Sequence, residues 1–458
     1  MSRKQHRAIS DEILAKDATA LATCLQRGDL SSQALTARTL AAIADSQQGI
    51  NAFLYIDREG AMNAAREADV RRRMGKPLSM FDGLTCAVKD NIDVAGMPTS
   101  NGLGYGDTAP LAREDAPVVA RLRAAGVIIL GKLNMHEVAL GATNDNPHWG
   151  RCENPLRAGY TPGGSSGGSG AAVAAGLCAF ALGTDTMGSV RIPASYCGVA
   201  GLKPGREGLT TAGVTRLCRQ LDTVGPLARS ARDLRELWPI LNGTANNQVP
   251  PARRTDLGSV RWAVLEDCAG VGVEEGISEA FRDLAKRLPG AGHVPLNFSA
   301  IDFSAIRRAG LLLCEAEANV TFSAERQRQP QLFSEQLRGL MQWGAERSAP
   351  ELVQASDKVQ AAGDWLRQQL QNVDFLLTPT APQTAFPFEQ AVPVNQANLT
   401  SVANMAGLPA ISIPLGDSAE GLPFGLQVIG AVGSEVALLA ISVALQEWLA
   451  EHDLAVTA

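Results

Sequence analysis

Ser189, in "GTDTMGSVRIPASYCG", sits between a glycine and a valine in a turn that leaves an apolar helix and strand. A serine becomes a nucleophile only when a base and an oxyanion-binding group accompany it. Histidine is a poor source of that base in this chain. There are five histidines; His6 and His452 lie near the ends, and His136 and His148 fall in a loop-like stretch. Lysine is the other option. The chain has eight lysines, at positions 4, 16, 76, 89, 132, 203, 286 and 358. Lys89 closes "LTCAVKDN", a short apolar run, where burial disfavours the charged ammonium and makes a neutral amine available near pH 7. A lysine paired with Asp90 at a strand end fits the same residues. Lys132 in "LGKLN" and Lys203 in "GLKPG" have similar surroundings, so burial alone does not choose among the three.

A second serine-bearing stretch, "TPGGSSGGSGAAVAAG" (161–176), holds five glycines and three serines between Gly163 and Gly170. Such composition reads as a flexible linker or a plain turn, yet it runs straight into an alanine-rich segment with the texture of a buried helix. A phosphate loop would use the same helix entrance, but the Gly-Lys-Ser/Thr ending it needs is absent. Gly163-Gly164-Ser165-Ser166-Gly167 formally fits the Gly-x-Ser-x-Gly of a nucleophile elbow. That turn follows a strand, and "RCENPLRAGYTP" does not read as one.

The elements that carry these residues follow from periodicity. Residues 9–75 read as helical, with apolar residues at three- and four-residue spacing and Ser/Asp cap signals. From Pro77 to Gly131 short strands alternate with turns: "LTCAVKD", a helix "APVVARLRAAG", then "VIILGK". Strand, helix, strand order argues for an α/β sheet with a crossover. "AAVAAGLCAFALGTD" reads as a core helix leading into a strand, 245–260 as a surface loop, and "VRWAVLED" as another strand. Helices dominate 275–372. "VDFLLTPTAP" and "LPAISIPLG…LPFGLQVIG" return to strands, and "SEVALLAISVALQEWLAEH" closes the chain as an amphipathic helix. The expected organisation is one large α/β domain, with a helical segment (1–75) packed on the remainder (76–458).

Composition narrows the function. With 458 residues, 45% hydrophobic and 19% charged, a large core is feasible. The net charge of −6, without a basic stripe, argues against nucleic acid as a partner. Eight cysteines form no Cys-x-x-Cys pair, which suggests reduced thiols and a cytoplasmic setting. No uncharged run reaches the roughly 20 residues of a membrane span.

Longer motifs then point to a family. "PGGSSGGSGAAVAAG…LGTDTMGSVRIPASYCGVAGLKP" closely resembles the amidase signature family. "GLTCAVKDNIDVAGMPTSNG" is similar to its lysine segment, and "GVIILGKLNMHEVALGATNDNPHWGRCENP", "LDTVGPLARSARDL", "DFLLTPTAP" and "ANMAGLPAISIPLG…GLPFGLQVIG" match in family order over roughly residues 20–450. The resemblance implies a mixed central β-sheet with helices on both faces and a Ser-(cis)Ser-Lys triad. Ser189 is then the nucleophile, Ser165 the bridging serine on a cis peptide, and Lys89 the base. Backbone N–H groups of Thr186, Met187, Gly188 and Ser189 are expected to receive the oxyanion. Ser166, Ser169, Asp185 and Arg191 are expected to support the site through hydrogen bonds. No metal or cofactor is implied.

The implied reaction is hydrolysis of a small carboxamide, ureide or carbamoyl compound through an acyl-enzyme, releasing ammonia or an amine. The alternative is the glutaminase component of a tRNA-dependent amidotransferase. The 315–370 stretch lacks the Gly-Thr-Tyr and Tyr-Tyr texture of that component. Where the family usually has glycine this chain has Met187, whose side chain is expected to line the acyl pocket. The 300–350 region and the loops around 130–150 are expected to build the substrate pocket, and the N-terminal helices to support a homodimer.

Overall fold

Short apolar runs bounded by turn residues become strands, and in this protein eleven of them join one sheet among the described residues. The computed structural model describes residues 9, 11–244 and 256–452. Most of the loop expected at 245–260 lies outside these residues. The strands are β1 (Phe53–Ile56), β2 (Thr85–Lys89), β3 (Ile128–Leu133), β4 (Phe180–Asp185), β5 (Ala200–Lys203), β6 (Thr223–Ala228), β7 (Arg261–Leu265), β8 (Gly292–Leu296), β9 (Phe375–Pro379), β10 (Ala410–Asp417) and β11 (Pro423–Gly430). Their order across the sheet is β1-β3-β2-β4-β6-β5-β10-β11-β9-β7-β8.

The sheet is mixed. β2 runs parallel to both β3 and β4, while β4–β6, β5–β6, β5–β10, β10–β11 and β9–β11 are antiparallel. Successive strand residues point to opposite faces, and in β2, β3 and β4 both faces are covered. Cys86, Val88, Ile129, Phe180 and Leu182 join one hydrophobic core, whereas Ala87, Ile128, Leu130 and Ala181 join a second with the Gly167–Ala174 helix. That explains why these strands read as continuous apolar runs rather than alternating ones.

Four strands escaped the sequence reading: β5 and β6, in a stretch to which it assigned no element, and β1 and β8. β1 lies inside the stretch read as wholly helical, and its four residues pair antiparallel with β3. β8 lies inside the helical 275–372 stretch and pairs parallel with β7 at the far edge of the sheet. The N-terminal helices Ala18–Arg27, Ser32–Ile50 and Arg58–Arg73 pack on the same body: Leu21 and Leu25 share a core with Leu234 and Leu237. All eight cysteines are free, and no helix among the described residues is long and apolar enough to cross a membrane.

Candidate active site

Parallel pairing of β2 with β4 brings their carboxyl ends side by side, with Val88 opposite Leu182. Lys89 is the last residue of β2, and Thr184 and Asp185 are the last of β4. The carboxyl edge of parallel strands is where an α/β sheet places its ligands. Lys89 is fully buried there, and its Nζ lies 2.8 Å from Ser165 Oγ and 2.8 Å from Thr184 Oγ1. Asn91 Nδ2 donates to the same Thr184 hydroxyl at 3.1 Å.

These contacts separate the three similar lysines. Lys132 faces the Asp90 carboxylate at 3.6 Å and donates to Pro98 O and Thr99 Oγ1. Lys203 donates to its neighbour Pro204 O at 2.8 Å. The pairing of Asp90 that the sequence allowed for Lys89 thus belongs to Lys132. Burial pulls the Lys89 ammonium down to about 7, against the opposing pull of the Asp185 and Asp222 charges. Lys203 falls to a similar value, by burial and then by Arg191, but touches neither serine.

Ser165 follows a cis Gly164–Ser165 peptide bond and lies just before the Gly167–Ala174 helix. Its carbonyl accepts from His136 N at 3.1 Å, and the next amide, Ser166 N, donates to Ser189 O at 3.2 Å. The glycine-rich backbone is pressed against its surroundings. A Cβ on Gly168 would lie 2.4 Å from Asn134 O and 2.8 Å from Ala52 O. The run is therefore a tightly packed loop and not a linker. Ser166 Oγ donates to Thr184 O and accepts from Thr184 N, and Ser169 Oγ donates to Leu182 O. Both serines fasten the loop to β4.

Ser189 lies in the turn between β4 and the Arg191–Cys197 helix, and it is partly exposed while Lys89 and Ser165 are fully buried. A second buried cluster holds this turn. Asp185 accepts from Gly188 N (2.7 Å), Val190 N (3.2 Å), Asn404 Nδ2 (2.9 Å), and Arg191 Nε and Nη2 (3.0 and 2.9 Å). Burial alone would raise this carboxyl; Arg191 and the hydrogen bonds outweigh it and hold it well below the usual carboxylate range. Gly188 has φ +132°, and a Cβ there would meet Thr400 Oγ1 at 2.2 Å. Only glycine fits.

One expected donor changes role. The Gly188 N–H is turned to Asp185 Oδ1 and does not face a substrate oxygen. The amides of Thr186, Met187 and Ser189 have no acceptor among the described residues. Met187 also departs from expectation. Its side chain is 8% exposed and sits in the larger hydrophobic core, where a Cβ on Gly310 would approach its Sδ and Cε at 3.1 Å. Its backbone stays outside the positive-φ region occupied by Asn51, Asn101, Val138, Ala139 and Asn144.

Sequence reasoning missed four residues at this site: Asn91, Thr184, Asp222 and His136. Asn91 and Thr184 flank the motif residues Lys89 and Asp185, and "KDN" and "GTD" were the only signals. The His136 ring Nδ1 is 3.4 Å from Thr143 Oγ1. Burial pulls this imidazole down to about 4, with the Lys89 charge adding to the fall and Asp145 opposing it, so it is neutral beside Lys89 and Ser165 at pH 7.

Known proteins share this architecture. A family model described as Amidase matches residues 34–439. In Chloroflexus aggregans, the A subunit of glutamyl-tRNA(Gln) amidotransferase is 34% identical over 464 positions, covering 93% of this chain and 94% of that protein. A solved structure described as a vestigial protein complex that reveals the evolutionary origins of an s-triazine catabolic enzyme is similar with a TM-score of 0.87 and 29% identity, over 96% of this chain and 99% of that one. The peptide amidase of Stenotrophomonas maltophilia matches with a TM-score of 0.79 and 26% identity, over 95% and 97% of the two chains.

Proposed function

We propose, for a chain that belongs to the amidase signature family, that Ser189, Ser165 and Lys89 act as nucleophile, relay and base in amide hydrolysis. The observation that carries this reading is the buried Lys89 Nζ set 2.8 Å from Ser165 Oγ with a depressed affinity for protons. A neutral amine has one lone pair and two N–H groups. With Thr184 Oγ1 accepting one N–H, the lone pair is left to take the Ser165 proton.

Ser189 Oγ then attacks the carbonyl carbon as its proton passes to Ser165 and the Ser165 proton to Lys89. Thr186, Met187 and Ser189 N–H groups receive the developing oxyanion, a contribution typically of about 3 kcal/mol per donor. Collapse breaks the C–N bond, and the proton returns through Ser165 to the leaving nitrogen as ammonia or amine. Water repeats the sequence on the acyl-enzyme and restores Ser189. Each proton taken up by Lys89 is returned, so the cycle balances.

For substrate class, we favour ureide or carbamoyl compounds among small amides. The support is the similarity to the structure tied to s-triazine catabolism. Hydrolysing a ring of alternating carbon and nitrogen leaves carbonyls with nitrogen on both sides. The identity to the amidotransferase relative favours a second reading, glutaminase within a larger assembly. Ammonia release by the isolated chain from a panel of ureas, carbamates, carboxamides and free glutamine separates the two. Activity confined to glutamine overturns the first. In the same panel Ser189→Ala should be inactive, and a fluorophosphonate should label Ser189. A label mapped to Ser165 or to a cysteine overturns the triad assignment.

A further inference from the structure

Asp222 lies just before β6 in "LDTVGPLAR", outside every role assigned above. Its Oδ1 accepts from Thr186 Oγ1 at 2.7 Å, and its Oδ2 accepts from Leu217 N at 2.8 Å and Cys218 N at 2.9 Å. The carboxylate therefore ties the first residue of the oxyanion turn to the 217–222 loop. That loop is in turn tied to the Phe303–Thr321 helix, where both carboxylate oxygens of Glu317 accept from Arg219 N (3.1 and 3.0 Å) and one pairs with Arg216 at 3.5 Å. The same helix presents Gly310 to Met187. Of the three proposed donor residues, Thr186 and Met187 are thus braced from one helix by two routes.

We infer that Asp222 is a positioning residue, which through Thr186 fixes the oxyanion turn against the Phe303–Thr321 helix and keeps a negative charge within range of the catalytic lysine. The inference rests on the Ser189–Ser165–Lys89 reading. The groups facing Asp222 are Thr186 of the turn, the Leu217 and Cys218 amides of its own loop, Lys89 at the end of β2, and Cys314 and Glu317 of the helix. Burial pushes the Asp222 carboxyl up to about 6, with Glu317 adding to the rise while Thr186 and the two amides resist it. Ionised Asp222 favours the ammonium of Lys89. Removing that charge lowers the pKa of Lys89 further, so the neutral base forms at lower pH.

The test uses the full chain with Thr186→Val, Asp222→Asn and the double variant, beside Ser189→Ala and Lys89→Ala. Thr186→Val removes only the hydroxyl and should lower kcat by about 10- to 100-fold, as small misplacements of catalytic groups do, with KM nearly unchanged. Asp222→Asn should lower kcat similarly and also move the acid limb of the kcat profile to lower pH. The double variant should lose little beyond either single one, because both break one link. If Ser189→Ala and Lys89→Ala are inactive while Thr186→Val turns over at the parental rate, the positioning role is wrong and the triad stands. An Asp222→Asn protein that melts lower but keeps kcat and its acid limb overturns it equally. Should Asp222→Asn fail to fold, Thr186→Val alone decides. Activity in Ser189→Ala or Lys89→Ala instead sinks the triad reading.

Discussion

Lys89 illustrates how a single residue's environment sets both chemistry and stability. Its folded pKa of about 7 lies below the ordinary lysine value of 10.5. Turnover should therefore rise as pH passes through about 7, the apparent value belonging to the coupled Lys-Ser-Ser unit. A profile flat from pH 5 to 9 with acylation rate-limiting would count against a lysine base. The same shift has a thermodynamic sign. Below pH 7 both folded and unfolded chains carry the proton, and the folded state bears the full cost of burying it. Between 7 and 10.5 only the unfolded chain holds the proton, so wild-type stability climbs with pH. Lys89→Met has no such term. The melting temperature of Lys89→Met relative to wild type should thus be most favourable at pH 7 or below and should decline toward pH 10. A difference independent of pH would mean that Lys89 is not neutralised in the fold. The sequence could not single out this lysine, because "VKD", "GKL" and "LKP" are equivalent until tertiary contacts assign Asp90 to Lys132 and two hydroxyls to Lys89. Asp222 and His136 were illegible for the same reason: what ties each to the site, Thr186 for Asp222 and Ser165 for His136, lies far along the chain.

At the scale of elements, long motifs were legible and packing direction was not. The strands around Lys89 and Ser189 stand out because both faces are buried, and continuous apolar runs between turns follow. β1 and β8 were hidden because four or five residues between amphipathic helices leave too little period to detect. The Met187 side chain shows the limit most clearly. A motif fixes its place in the turn, but its direction depends on the Phe303–Thr321 helix presenting Gly310 at that point. Met187→Ala should consequently act as a large-to-small core change and cost about 2–5 kcal/mol, with the kcat/KM ratio between a short and a long acyl amide unchanged. A changed ratio with an unchanged melting curve would return Met187 to the pocket wall.

At the scale of the whole molecule, the N-terminal segment is bound to the rest of the chain by contacts that a separable domain would lack. Asp233, in the helix after β6, accepts from Ala18 N (3.1 Å), Thr19 N (2.8 Å) and Thr19 Oγ1 (2.7 Å), at the positive end of the Ala18–Arg27 helix. β1 adds to the sheet through β3, next to the strand that ends in Lys89. Ala52 O accepts from Asn134 N, and Asn134 O accepts from Gly168 N in the glycine-serine loop that carries Ser165, so the segment braces that loop through one intervening residue. Removing residues 1–75 strips an edge strand, part of the core and this brace together. The truncated 76–458 chain should show no cooperative melting and no activity. Asp233→Ala is the gentler probe. It leaves two helix N–H groups without their carboxylate and should cost about 1–3 kcal/mol, while kcat/KM well below the melting temperature stays within about twofold, because Asp233 touches nothing at the triad. A 76–458 chain that melts cooperatively and turns over substrate would show instead that the segment is an independent unit.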